Sequence, residues 1–292
     1  MSFVLAWPKR LAHAVDWRVE KCLRAPLRKL GAAILPAGRA ERYEFDRARE
    51  YWRNVPRAEG GHPFNTADLP LLSDEQLLRD VEREMAIARD KPERRIGLSR
   101  AMESIAAINA PRVMDYGSGI GFYGFGILER HPGAHVTFAD INESNLTAIR
   151  RIAGLKGMEG RVDCLPVRDE QARDLIPGSP FDLMASMGVL HHTPYARQIV
   201  QHLTPFLKRG GIFLVMLYNY TYLRQEEAGA GRRLNVASFG ARTDPEAGHM
   251  SNPYSEPYDD AKAKRLFEGY ELIGADHPNP CYNTYRFRKP PG

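Results

Sequence analysis

Residues 113–126, VMDYGSGIGFYGFG, decide the fold of this 292-residue chain. Five glycines fall within residues 117–126, directly after a short apolar run that ends in Asp115. Glycine has no Cβ, so a loop of this composition lets the backbone come close to a ligand. The loop fits two patterns, and the two patterns imply different ligands.

The two patterns differ in where the preceding strand ends. Taken as GxGxxG, the pattern of dinucleotide-binding loops, the loop starts at Gly119 and follows Asp-Tyr-Gly-Ser, which is a poor strand end. Taken as acid-x-G-x-G-x-G, it starts at Asp115, at the carboxyl end of a strand over residues 113–115. A carboxylate there attracts an ammonium group or a ribose hydroxyl and repels a pyrophosphate. The acid therefore favours the second pattern, and a dehydrogenase becomes the minor alternative.

From residue 112 onward, apolar runs alternate with helical patterns, which is typical of a parallel sheet covered on both faces. The pattern predicts strands at 113–115, 136–140, 162–167, 181–186 and 212–218, with helices at 123–130, 145–155 and 195–207. A helix at 259–267 precedes two strands, 270–275 and 282–288, that are close enough to pair as a hairpin at the sheet edge. We predict an α/β fold: a doubly wound, seven-stranded, mostly parallel sheet with an antiparallel C-terminal hairpin and a helical N-terminal extension.

The N-terminal part has a different organisation. Residues 1–57 are basic, with 13 Lys and Arg against 6 Asp and Glu, and residues 58–72 are a loop rich in glycine and proline. Residues 73–108 carry two helices, one from the capping box Ser73–Gln76 to about residue 90 and one over 98–108. We predict a helical extension or lid over residues 1–110 and a main domain over residues 111–292. An apolar stripe at residues 10–30 has two open interpretations, packing on its own domain or docking, either to a membrane surface or to a partner.

Composition excludes several classes of protein. The cysteines Cys22, Cys164 and Cys281 are far apart and form no CxxC pair, so we expect reduced thiols, a cytoplasmic protein and no metal site. No apolar run approaches the ~20 residues that cross a bilayer. After residue 57 the chain holds 28 Lys and Arg against 30 Asp and Glu, so its main body is not a basic surface for nucleic acid.

Five stretches, in this order, resemble the class I S-adenosylmethionine-dependent methyltransferases. The glycine loop resembles motif I, and Thr137-Phe-Ala-Asp140 resembles motif II, a second strand that ends in an acid. Phe181–Ser186 with Val189-Leu-His191-His192 resembles the fourth strand and the vLHH stretch after it. Leu207–Gly211 resembles the LkpGG turn, with Arg209 where proline is usual, and the C-terminal hairpin resembles the reversed seventh strand. The resemblance covers about 60% of the chain and implies S-adenosylmethionine as the cofactor.

The resemblance also implies roles for single residues. Asp115 would help to place the ammonium group of the cofactor, and Asp140, 19 residues after Gly121, would accept the ribose hydroxyls. Asp169 is the candidate acceptor for the adenine amino group, with Arg168 in that position as the alternative. The expected cofactor-binding residues are Asp115, Gly117, Ser118, Gly119, Gly121, Asp140, Ile141, Asp169 and Met187.

The acceptor side is less determined. Transfer of a methyl group requires placement, and a nucleophile of high pKa also requires a base. The candidate bases are His191, His192 and His249, with a structural or cofactor-lining role for the first two as the alternative. The resemblance implies that an insertion at about 219–258 covers the substrate, against the alternative of a solvent loop with scattered tyrosines. The candidate substrate-binding residues are Tyr123, Tyr218, Asn219, Tyr254 and Tyr258.

Together these expectations describe an enzyme that methylates an O, N or C nucleophile of a small metabolite or natural-product intermediate. Two alternatives stay open. One is an RNA or protein methyltransferase that binds its substrate through the basic N-terminal segment. The other is a protein that binds S-adenosylmethionine without methylating, or without any catalysis. The oligomeric state is open as well.

Overall fold

The structure is a computed structural model that describes residues 45–54, 66–221, 254–278 and 281–291. The stripe at residues 10–30, the candidate base His249 and most of the insertion at 219–258 lie outside these residues. Among the described helices, none has the length and apolar character needed to cross a bilayer.

Seven strands form one sheet within the described residues. They are β1 Arg112–Tyr116, β2 His135–Asp140, β3 Val162–Pro166, β4 Phe181–Met187, β5 Leu207–Tyr218, β6 Glu271–Asp276 and β7 Tyr282–Arg288. Their order is β3-β2-β1-β4-β5-β7-β6, and β1 to β5 are parallel. Strand β7 is antiparallel to both of its neighbours and lies between β5 and β6. The predicted α/β fold is confirmed, and β6 is the edge strand of the hairpin.

Both faces of the sheet are buried, as a parallel sheet requires. Successive side chains of a strand point to opposite faces, so Val113 belongs to one apolar cluster and Met114 to the other. The helices are α1 Phe45–Asn54, α2 Asp74–Asp90, α3 Pro92–Ile105, α4 Phe122–Arg130, α5 Glu143–Leu155, α6 Ala196–Leu203 and α7 Asp260–Leu266. Side chains of α2 to α5 pack in the first cluster, and side chains of α6 and α7 pack in the second.

The helices before the glycine loop share the core of the sheet. Leu77 and Val81 of α2 and Ile105 of α3 are fully buried in the same cluster as Val113 of β1. The division into an extension over residues 1–110 and a domain over 111–292 stays a prediction. The packing shows that α2 and α3 are fixed to the sheet, and therefore that residues of these helices can contribute to a site on it.

The start of α2 confirms the predicted capping box, and the start of α3 corrects a boundary. The Ser73 amide donates to Gln76 Oε1 at 3.0 Å, and the Gln76 amide donates to Ser73 Oγ at 3.2 Å. Helix α3 begins at Pro92 and not at residue 98. Proline suits the first position of a helix because its missing N–H would have no partner there. The earlier start adds a helical turn and a half that contains Arg94.

Two glycines of α4 set how closely it packs. A Cβ at Gly124 would lie 2.1 Å from the Phe138 ring of β2, so only glycine lets the helix lie this close to the sheet. A Cβ at Gly126 would lie 2.9 Å from Leu98 of α3. The first contact is helix against sheet, and the second is helix against helix.

Candidate active site

A cavity of about 250 Å³ lies over the carboxyl ends of β3, β2, β1 and β4. Most of its floor consists of the last residues of these strands and the residues just after them, and its roof comes from α1, α2 and α3. The order of the sheet reverses between β1 and β4, and a doubly wound sheet binds its ligands at such a point. Because neighbouring strands lie about 4.8 Å apart, each strand end contributes its own part of the floor.

The turn after β1 presents backbone to the cavity. Gly117, Gly119 and Gly121 have φ angles of 72°, 55° and 89°, in the left-handed region that favours glycine. The amides of Gly117 and Ser118 both donate to the carbonyl of Ala139, at 2.7 and 3.2 Å, which holds the turn against β2. Gly117, Ser118 and Gly119 line the cavity, whereas Gly121 lies behind it as the N-cap of α4.

Asp140, the last residue of β2, lines the cavity and organises the turn beside it. Its carboxylate accepts the Gly119 amide at 2.8 Å, the Asn142 amide at 2.8 Å and the Asn145 side-chain amide at 3.1 Å. The residue is 5% exposed, so its charge faces little besides these donors and the cavity. Asn142 and Asn145 also line the cavity, although the sequence did not single them out.

Asp115 lies behind the cavity wall. Its carboxylate accepts the Gly124 amide of α4 at 3.1 Å and is almost fully buried. Burial raises the pKa of Asp115 to about 7, and the nearby charge of Asp140 acts in the same direction. The Gly124 amide and the positive charge of Arg94 act against this rise.

A cation enters the cavity from α3. The guanidinium carbon of Arg94 lies 5.6 Å from the ring centre of Phe122 and 5.7 Å from that of Tyr123. Arg94 lines the cavity, and its positive charge acts on the buried carboxyl group of Asp115. Phe122 lines the cavity too, while Tyr123 is buried beside Gly97 and does not reach it.

The floor after β3 differs from the expectation by one residue. Val167 and Ile141 line the cavity and offer an apolar surface. Asp169 does not line it: Arg173 holds its carboxylate at 2.6 Å and lowers the pKa of Asp169 to about 2. Glu170 lines the cavity in its place.

The floor after β4 carries Met187, Gly188 and His192. The Nδ1 atom of His192 lies 3.0 Å from the carbonyl oxygen of Tyr254 and 2.9 Å from Ser255 Oγ. A carbonyl oxygen only accepts, so Nδ1 carries the proton and Nε2 is the basic nitrogen. Burial lowers the pKa of His192 to about 4, which makes the ring neutral at pH 7.

His191 lies behind His192 and outside the cavity wall. Its ring is fully buried and lies 3.9 Å from the ring of Tyr218, whose amide donates to Nδ1 at 3.4 Å. Burial, together with the neighbouring His192, holds the pKa of His191 well below its usual value. Of the two histidines, His192 is the one that the cavity exposes to a ligand.

The segment that returns from the insertion is fastened to this histidine pair. The Glu256 amide donates to the His191 carbonyl at 2.8 Å, and the hydroxyls of Tyr254 and Tyr258 both donate to the Glu256 carboxylate at 3.2 Å. Tyr258 and Asn219 line a second, open cavity beside Asp259 and His277. Three of the candidate substrate residues, Tyr218, Tyr254 and Tyr258, thus support the histidine region, and none of them lines the first cavity.

Several cavity residues escaped the sequence analysis. Phe45, Ala48 and Trp52 lie at positions i, i+3 and i+7 of α1, which places them on one helical face, and all three line the roof. The Trp52 ring lies 4.7 Å from that of His192. The apolar periodicity of α1 was a usable signal for a buried face, but it did not indicate what that face covers.

Comparison with known proteins finds a matching family model and several similar proteins. Residues 114–213 match a family model described as a methyltransferase domain. The chain is similar to the release factor glutamine methyltransferase of Chlorobaculum tepidum, 34% identical over 103 residues, which are 33% of this chain and 35% of that protein. It is also similar to the ubiquinone biosynthesis O-methyltransferase of Xylella fastidiosa, 28% identical over 153 residues, 52% of this chain and 57% of that protein. The chain therefore spans less than two thirds of the length of either relative.

Among solved structures, the magnesium protoporphyrin IX methyltransferase of Synechocystis, with SAH bound, is similar in fold. The TM-score is 0.56 at 12% identity, and the match covers 84% of this chain and all of that one. At this level of identity the match supports the fold.

Proposed function

We propose that this chain, which belongs to the class I S-adenosylmethionine-dependent methyltransferases, transfers a methyl group from S-adenosylmethionine to a nucleophile of a small molecule. One observation carries the proposal: a single cavity at the β1–β4 reversal has the glycine turn, Asp140 and Arg94 on its wall. The similarity to a ubiquinone biosynthesis O-methyltransferase supports a small-molecule acceptor.

The cavity residues fit the cofactor part by part. Asp140 would accept the ribose hydroxyls, as a carboxylate does at the end of the second strand in dinucleotide folds. Ile141 and Val167 would contact the adenine ring, with Glu170 in place of Asp169 near its polar edge. Arg94 would pair with the carboxylate of the methionine part, and the negative charge of Asp115 would favour the ammonium group from behind the wall.

S-adenosylmethionine would supply a methyl group that is already activated on a sulfonium. The contribution of the chain is then placement, exclusion of water and, for a protonated nucleophile, removal of a proton. His192 is suited to the last task because its Nδ1 proton is held by the Tyr254 carbonyl and its ring lines the cavity. A cytoplasmic location stays a prediction.

Calorimetric titration with S-adenosylhomocysteine (SAH) tests the proposal. We expect 1:1 binding that the Asp140→Asn change weakens about 30-fold, or about 2 kcal/mol. The amide has one acceptor oxygen where the carboxylate has two, and it carries no charge. Asp163→Asn, on the exposed side of β3, is the matched control and should leave the affinity unchanged. Circular dichroism checks that both variants fold, because Asp140 also holds the Gly119 turn. A folded wild-type protein with no affinity for SAH contradicts the proposal.

A second candidate, an RNA or protein methyltransferase, is favoured by the basic residues 1–57 and by the similarity to a release factor methyltransferase. Filter binding of a 30-nucleotide RNA at 50 and 200 mM salt separates the RNA form of this candidate. Binding that falls 10-fold or more between the two salt concentrations would favour it. Methylation of a purified release factor would favour the protein form.

A further inference from the structure

The described charged residues of the cavity lie at one end of the sheet edge. Among its described residues the carboxylates are Asp140, after β2, and Glu170, after β3, and the cation Arg94 lies beside the turn after β1. The end after β4 instead carries His192 as its titratable group, with Thr193 and Met187 beside it. If the proposed function is right, the cofactor occupies the β3–β1 part, and the β4 end receives the acceptor.

The roof over the β4 end is aromatic. Trp52 reaches down from α1 until its ring lies 4.7 Å from the ring of His192, with the two planes inclined at 63°. Phe122 lines the neighbouring part of the wall. A flat aromatic ring gains binding free energy from stacking or edge contact with such side chains, in addition to the free energy gained by burying its apolar area.

The charges of this end disfavour an amine as the acceptor. An ammonium group needs a carboxylate partner when it leaves water. Both described carboxylates of the cavity lie at the opposite end, and Asp140 is already bound by the Gly119 and Asn142 amides. A neutral acceptor group meets no such requirement.

The weak basicity of His192 limits the kind of hydroxyl. With a pKa of about 4, its imidazole removes a proton most readily from an acidic group. An aromatic hydroxyl has a pKa near 10, as in tyrosine. The pKa of an aliphatic hydroxyl is close to that of water, which is about 15.7. The difference favours the aromatic hydroxyl by several orders of magnitude.

We infer, on the basis of the proposed function, that the acceptor is an aromatic hydroxyl compound whose ring packs against Trp52 and whose hydroxyl faces His192. Trp52 is then the residue that determines acceptor specificity. In the reaction the hydroxyl oxygen bonds to the methyl carbon while the carbon–sulfur bond breaks and leaves its electron pair on sulfur. The hydroxyl proton passes to Nε2 of His192 and from there to solvent.

Binding of 2-naphthol to the SAH-loaded protein tests the aromatic contact without turnover. We expect 2-naphthol to bind at least 10-fold more tightly than its saturated analogue decahydro-2-naphthol. Trp52→Leu should abolish this preference, and Trp52→Phe should keep it within about threefold, while SAH affinity stays the same in both variants. Equal binding of the two compounds, or a preference that survives Trp52→Leu, overturns the inference.

Turnover tests the hydroxyl. With S-adenosylmethionine, the protein should form SAH with members of a panel of phenols, catechols and naphthols. It should not do so with the matched aminomethyl compounds. Preference for the amines, or no reaction with any aromatic hydroxyl in a protein that binds SAH, overturns the acceptor class and leaves the proposed function standing. Loss of SAH binding itself overturns the proposed function instead.

Discussion

The two ends of the cavity are built by different interactions. At the β2–β1 end, Asp140 holds Gly119 and Asn145, and these residues belong to two successive strand–turn–helix units, β1–α4 and β2–α5. At the β4 end, His192 contacts Trp52 of α1 and the backbone of Tyr254, which come from opposite sides of it in the sequence. The cofactor end is therefore formed by local turns, and the acceptor end by tertiary packing. Changes in α1 should alter the acceptor without altering the cofactor.

The largest expected effect separates the two ends. Changing His192 to Gln removes the basic nitrogen from the acceptor end, and general bases contribute about 10²–10⁴-fold to turnover. We expect a loss of at least 100-fold in kcat on an aromatic hydroxyl acceptor. The affinity for SAH should stay within about twofold, because the residues proposed to hold the cofactor lie at the other end.

His135→Gln is the matched control for this change, because His135 lies at the start of β2 and pairs with Asp163 away from the cavity. Its kcat should equal that of the wild type. A His192→Gln enzyme that keeps its kcat shows that placement alone suffices, and then the histidine has a structural role. A variant that loses SAH affinity and turnover together shows that the two ends are not separable.

The next effect tests a tertiary contact at the cofactor end. Arg94 belongs to α3, yet it lies beside the glycine turn. If it pairs with the carboxylate of the methionine part, Arg94→Gln should weaken SAH binding about 10-fold, since a charge-assisted hydrogen bond contributes roughly 1.5–3 kcal/mol before screening. Calorimetry measures this loss.

Two comparisons make the assignment of Arg94 specific. Arg95→Gln changes the neighbouring, exposed arginine and should have no effect. 5′-Methylthioadenosine, which lacks the amino acid part of the cofactor, should bind the Arg94→Gln variant as well as the wild type. Equal weakening of both ligands would place Arg94 at another part of the cofactor.

The same contrast explains what could be predicted from the sequence. The glycine turn, Asp140 and the alternation of strands and helices follow from patterns that are local, because a strand end and the turn after it carry their own signal. Arg94 was missed because the predicted helix began at residue 98. Pro92, a favoured first residue of a helix, could have corrected this start.

The acceptor end had no comparable signal. Trp52 precedes the glycine loop by more than 60 residues, and no periodicity states which strand a helix will cover. Asp169 and Glu170 show the same limit at the scale of one residue. Both are acids in the turn after β3, and the carboxylate of the first binds Arg173 and does not line the cavity. Which of the two acids lines the cavity depends on a side-chain contact, and the spacing of residues in the sequence does not reveal that contact.

The smallest effect concerns the buried charge behind the cofactor end. Asp115 has a pKa of about 7 in the folded protein and near 3.9 when unfolded. Between these values the folded state binds more protons, so the free energy of unfolding falls as the pH rises from about 4 to 7 and then levels off.

Asp115→Asn keeps an oxygen that can accept the Gly124 amide but has no charge to bury. Between pH 6.5 and pH 8 the Tm of the wild type should therefore fall about 3 °C further than that of the variant, which corresponds to roughly 1 kcal/mol. Glu159→Gln, at an exposed carboxylate, should behave as the wild type. Identical pH dependence in wild type and Asp115→Asn would mean that the carboxylate is not buried as a charge, and the cofactor end would then be stabilised by its hydrogen bonds alone.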